Sequence, residues 1–166
     1  MKKLFILAFV LVYMSSYSQY VNSFGVRGGF RGLGLSYKQF LSPAAFLNIE
    51  GVGQSSGQIK GGDLLATINF RNKIHTTNFQ IKELTWSYGV GIHGGYYMDP
   101  DDIKENKITF GPDLRLGAEY LFKEQWAFGL DITGYYNFMP IDKPEGIDRV
   151  YTNMFGAGLF IRYVIQ

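Results

Sequence analysis

Two histidines, His75 and His93, and three neighbouring aspartates, Asp99, Asp101 and Asp102, are the residues whose types first invite chemistry. Nucleophilic hydrolysis needs a hydroxyl within hydrogen-bond reach of a histidine that an acid orients. His75 stands in a polar stretch beside Thr76 and Thr77, and His93 lies within LTWSYGVGIHGGYY. The aspartates offer oxygen ligands to a hard cation, but the spaced ligands and glycine of a calcium loop are missing. A solvated, charged loop is the reading they favour. GVRGGFRGLG, from Gly25 to Gly34, is as glycine-rich as a phosphate loop but has neither its Lys-Ser/Thr nor a following helix. Glycines placed in strands account for it. The chain has no cysteine, which excludes a thiol nucleophile, cysteine metal sites, a disulfide framework and a lipid-anchored cysteine. A larger set remains: Arg27, Arg31, Lys38, Glu50, Arg71, Asp113, Arg115, Glu119, Asp131 and Arg162, six of them with a glycine two places away. Their chemistry would be ionic, either pairing or conduction, and the elements that carry them decide which.

Those elements are strands. In Leu84–Tyr97 one row is Leu84, Trp86, Tyr88, Val90, Ile92, Gly94 and Tyr96; the other is Thr85, Ser87, Gly89, Gly91, His93, Gly95 and Tyr97. Alternation of this kind gives a strand with one apolar and one polar face. Its length exceeds the usual ~5–6 residues of a soluble strand and suits the ~9–11 that a tilted strand needs to cross a bilayer. Aromatics stand near both ends of the apolar row, as Trp and Tyr do at membrane interfaces.

Eight such segments follow one another: Ser23–Arg31, Leu33–Leu41, Ala45–Gly53, Asp63–Asn72, Leu84–Tyr97, Ile108–Phe122, Gln125–Phe138 and Val150–Ile165. No window shows a helical period. Ser42-Pro43-Ala44 and Lys123-Glu124 make tight connections, whereas Gln54–Gly62, Met98–Lys107 and Met139–Arg149 read as surface loops rich in Gly, Pro and charge. The alternation of short turns with long loops is that of a transmembrane barrel, although the polar Lys73–Glu83 stretch and the near-absent connection at Gly32 fit it badly.

The apolar rows, such as Leu114, Leu116 and Ala118 or Phe128, Leu130 and Ile132, hold no charge. The ten charged residues named above fall on the opposite rows with Gly29, Gly89, Gly91, Gly111, Gly117, Gly129, Gly156 and Gly158. Eight strands enclose an interior that side chains fill, so a plugged ionic lumen is expected in preference to a conducting pore. Glu50, Asp113, Glu119 and Asp131 are expected to interleave with the Arg and Lys side chains in one network, because an isolated charge in a dry interior is very costly.

Composition agrees with strands. Glycine contributes 21 residues and aromatics 17% of the chain, while charged residues are only 18%. Met1 to Gln19 reads as a secretory signal: Lys2 and Lys3, an apolar run from Leu4 to Met14, then Ser16-Tyr17-Ser18 before a cut. The run falls short of the ~20 residues of a spanning helix. The expected division is a cleaved signal over 1–18 and a barrel over 19–166. Without Lys2 and Lys3 the sixteen basic residues become fourteen and match the fourteen acidic ones. Nucleic-acid binding gains nothing from the basic isoelectric point.

GVRGG, GLSYKQFLSPAA, LTWSYGVGIHGGYY, LRLGAEYLFKE and the ending GLFIRYVIQ, in this order, resemble the small outer-membrane β-barrel family of Bacteroidota, which is similar in architecture to OmpA-type eight-stranded domains. The resemblance runs from Phe24 to the C-terminus with gaps at the loops. It implies an eight-stranded antiparallel up-and-down transmembrane β-barrel in the cell outer membrane, in contact with outer-membrane lipid and lipopolysaccharide and inserted by the barrel-assembly machinery. It implies no reaction. Such chains usually end on an aromatic residue that helps assembly; here Ile165 and Gln166 take that place. The expected role is structural or binding, without cofactor, metal or enzymatic activity, with an extracellular ligand at the loops. One rival is a lipid-modifying hydrolase, which needs a Ser or Thr near a histidine on the lipid face, whereas His93 is on the inward row. The other is a soluble lipocalin-like barrel carrying an apolar ligand, which needs the apolar rows inside.

Overall fold

The computed structural model describes residues 22–30, 32–56, 59–73, 84–98, 107–138 and 155–165. They form eight strands: β1 (Asn22–Gly29), β2 (Gly32–Ser42), β3 (Ala45–Ser56), β4 (Ile59–Lys73), β5 (Leu84–Met98), β6 (Lys107–Phe122), β7 (Trp126–Tyr135) and β8 (Phe155–Ile165). Each pairs antiparallel with the next, and β1 pairs with β8 from Asn22↔Ile165 to Gly29↔Gly158, which closes the barrel. Closure leaves no unpaired sheet edge. The expected signal segment, Arg31, His75, Asp99, Asp101, Asp102, Val150 and the Met139–Arg149 loop lie outside the described residues, as does nearly all of Met98–Lys107.

The strands keep the alternation of their sequences. Along β8 exposed and buried positions alternate from Phe155 to Ile165 almost without a break. Leu64, Leu116 and Leu130 are 60%, 58% and 51% exposed, whereas Glu50 is 0% and Asp131 1% exposed. The apolar rows therefore form the outside and the charged rows the inside. This is the reverse of the arrangement a lipocalin-like carrier requires.

Outside, the aromatic residues gather at the two ends. Toward the chain termini Trp86 and Phe70 flank Tyr88, each with ring centroids 5.6 Å from it, and Trp126 meets Tyr163 at 5.3 Å. At the far end Phe138 lies 5.6 Å from both Phe110 and Tyr136. Aliphatic side chains such as Val90, Leu114, Ile132 and Leu159 fill the zone between.

The hairpins refine the sequence reading. Gln54–Gly62 is not the open loop its composition suggests: β3 and β4 stay paired through Gln54↔Gly61, Ser55↔Lys60 and Ser56↔Ile59. Polar, glycine-rich residues mark contact with water, which a paired hairpin beyond the apolar belt satisfies as well as a loop does. β7 ends sooner than the alternation implies, yet Tyr136 and Phe138 still donate backbone hydrogen bonds to Pro112 and Phe110 at 3.1 and 3.0 Å. The β6–β7 turn places Lys123 and Glu124 at φ 49° and 60°, the left-handed pair of a type I′ turn, without the Asn or Gly that adopts it cheaply.

Candidate functional site

The inward rows bring long charged side chains together because glycines on neighbouring strands make room. A Cβ at Gly158 would collide with the guanidinium of Arg27, and one at Gly129 with the ring of Phe160. Arg162 in turn lies over the Phe160 ring, 3.9 Å from its centroid.

Glu50 on β3 is the hub. Arg27 Nη1 lies 2.9 Å from its Oε2, Arg115 Nη2 2.8 Å from its Oε1 and Arg162 Nη2 3.5 Å from the same oxygen. Asp131 on β7 accepts from Arg27 and, at 2.7 Å, from Arg115. Two guanidinium groups and two carboxylates thus form a closed ring of four. Arg162 extends it: its Nη1 is 3.0 Å from Glu119 Oε2, its Nε donates to Ser36 Oγ at 3.0 Å and its Nη2 to Asn48 Oδ1 at 2.9 Å. Lys38 ends the chain, 2.7 Å from Glu119 Oε1.

All but one of these ion pairs join strands that are not neighbours in the sheet. Arg27–Glu50 links β1 to β3, Arg115–Glu50 links β6 to β3 and Lys38–Glu119 links β2 to β6. The backbone ladders tie only neighbours, so the side-chain ties act across the lumen in directions the ladders leave open. The interior holds charge at a deep desolvation cost, and shared carboxylates with several donors are what offset it.

Two expected members stand apart from this network. Asp113 pairs with His93, Oδ1 to Nδ1 at 2.6 Å, and the other ring nitrogen lies 2.7 Å from Asn137 Oδ1. The His93 ring also meets Tyr135 edge-on with centroids 5.5 Å apart. The side chain of His93 is fully enclosed and both ring nitrogens are engaged within the lumen, so it is not on the outer face where a lipid hydrolase would need it. Arg71 makes no ion pair among the described residues; its guanidinium lies over Phe40, 5.3 Å from the ring centroid. The interior near the termini is basic enough that the nearby carboxylate, Glu119, is already shared between Lys38 and Arg162.

Sequence reasoning did not single out Ser36, Asn48 or Asn137, which complete the polar contacts. Ser36 and Asn48 each stand two places from a named charge, Lys38 and Glu50, on the same inward row, and that spacing is the signal that finds them.

A closed eight-stranded antiparallel barrel, apolar outside and ionic inside, is the class these observations define. No protein-family model and no curated protein sequence matches the chain. Among solved structures, the N-terminal β-barrel domain of Pseudomonas aeruginosa OprF is similar at a TM-score of 0.60, with 16% identity over 87% of this chain and 94% of that one. The attachment invasion locus protein Ail of Yersinia pestis follows at a TM-score of 0.49, 10% identity, 87% of this chain and 96% of that one. Acinetobacter baumannii CarO2 has a TM-score of 0.49, 14% identity, 89% of this chain and 100% of that one. The OprF domain shares the barrel fold at an identity too low to carry activity over; the other two are too distant to weigh.

Proposed function

We propose that this chain is an integral barrel of the bacterial outer membrane, without enzymatic activity, whose ionic network plugs the lumen and fixes the strands of a scaffold for surface segments. The single observation that carries this reading is the uninterrupted apolar outer belt, ringed at each end by aromatics, around an interior that holds the strand charges. In water such a belt would aggregate; in a bilayer it meets acyl chains, with Trp and Tyr at the headgroups. The OprF domain supports the architecture, and the order of the sequence motifs supports kinship with the small Bacteroidota barrels. The residues after Ser18 would form the mature protein, inserted by the barrel-assembly machinery among lipid and lipopolysaccharide.

With both ends of an even-stranded barrel on the periplasmic side, the segments around Lys60, Asp101 and Glu145 face outward, where an extracellular ligand would meet them. The experiment is cell fractionation with a heat-shift gel. The protein is expected in the outer-membrane fraction, migrating differently before and after boiling. Protease added to intact cells is expected to cut near Asp101 or Glu145. Recovery in a soluble fraction with a single mobility would reject the membrane reading, and cleavage near Ser42 or Lys123 would reverse the orientation.

A further inference from the structure

Among the described residues, the lumen charges do not balance at the end near the termini. Lys38 and Arg162 take both oxygens of Glu119, at 2.7 and 3.0 Å. Arg71 lies beside them with no carboxylate within ion-pair distance among the described residues, and its Nε is buried without a hydrogen-bond partner. Lys38 and Arg71 both stack on Phe40, at 4.7 and 5.3 Å from the ring centroid. Between them is a cavity of about 20 Å³ lined by Lys38, Arg71, Thr85 and Glu119 and reaching Asn22 and Ser23 at the barrel mouth. A second of about 10 Å³ shares Lys38, Arg71, Thr85 and Glu119. Arg71 is half-buried, and a chamber lined by two cations and one carboxylate already shared between Lys38 and Arg162 favours a negative guest.

We propose that this chamber binds one small inorganic anion of chloride size, held by Arg71 and Lys38. Size decides the ligand class. A water-sized species needs roughly 10–15 Å³, so the larger cavity has room for a single monatomic ion or a water. Metabolites the size of gluconate do not fit. The ion enters from the mouth beside Asn22 and Ser23, and it balances the guanidinium that makes no ion pair among the described residues. The site is distinct from the ring around Glu50, which is already paired.

The test is the unfolding equilibrium of the refolded barrel in uncharged detergent, in sodium chloride or sodium gluconate at equal ionic strength. Gluconate is too large for the chamber. The wild type is expected to unfold at higher denaturant in chloride. Well above its dissociation constant, each tenfold rise in chloride should raise the folding constant about tenfold, as for one bound ion. Arg71→Gln should abolish that dependence, whereas Lys123→Gln, on the exposed turn, should retain it. In crystals grown from bromide, an anomalous peak is expected between Arg71 and Lys38. Equal stability of the wild type in chloride and gluconate overturns the proposal, and so does an Arg71→Gln protein that keeps the full chloride dependence. If Arg71→Gln does not refold, the two-salt comparison and the bromide position on the wild type decide alone.

Discussion

Arg115 and Glu50, 65 positions apart in sequence and three strands apart in the sheet, meet across the lumen with Nη2 2.8 Å from Oε1. Arg27 and Arg162 converge on the same carboxylate. Glu50→Ala is therefore expected to leave three guanidinium groups with only Asp131 and Glu119 between them and cost roughly 3–5 kcal/mol of folding stability. Arg115→Ala in that background should cost less than it does alone, because the two residues share one interaction. Denaturant unfolding of the four proteins of the cycle in detergent measures this. Additive losses would mean that the pair is not coupled.

The outer belt makes its own prediction. Leu130 on β7 is flanked by Leu159 on β8 and Ala118 on β6. Leu130→Arg should destabilise the barrel in bilayers by about 2–4 kcal/mol if the residue lies near the midplane. The same substitution at exposed Glu124 should cost almost nothing. Refolding yield into lipid vesicles reads the difference, and an unaffected Leu130→Arg protein would place that face in water.

The turn at Lys123 and Glu124 holds two side chains in the left-handed region, at φ 49° and 60°. That conformation costs ordinary residues roughly 1–2 kcal/mol each. Replacing the pair by Asn-Gly, the residues a type I′ turn prefers, should stabilise the protein by about 1 kcal/mol or more. The unfolding midpoint should rise without a change in the slope against denaturant.

Gly129 is expected to resist even a methyl group. Its missing Cβ would press on the Phe160 ring and on the Ala118 carbonyl, and the Phe160 ring in turn supports Arg162. Gly129→Ala should lose roughly 1–3 kcal/mol as an overpacked site. A companion Phe160→Leu change should recover part of the loss; the same unfolding assay checks both.

Strand number and the facing of each row were legible because a period of two needs nothing beyond neighbouring residues, as Leu84 to Tyr97 shows. Partnership inside the lumen was less so. Asp113 and His93 stand on inward rows of adjacent strands, but only the register Gly91↔Asp113 and His93↔Gly111 brings their side chains together. Alternation says which way a residue points and is silent on its height along the barrel axis. That silence also hid the isolation of Arg71, which shares a row with Asn69 and Thr67 but lies nearer the termini than Glu50 does. Composition misled once, at Gln54–Gly62, where polar and small residues proved compatible with continued backbone pairing.

Closure of β1 on β8 has a kinetic side. Arg27 sits on the first strand and Arg162 on the last, and each contacts Glu50 on the third. Seven neighbouring hairpin pairings can form one after another while the sheet is still an open ribbon, with its ionic face wet and every cation free to keep its hydration shell. Only the eighth pairing, which joins chain ends more than a hundred residues apart, sweeps those charges out of water at once. Desolvation is thereby concentrated in the last step of assembly. Added salt, which weakens the attraction between hydrated charges, should then slow that final seam far more than it slows the growth of the ribbon.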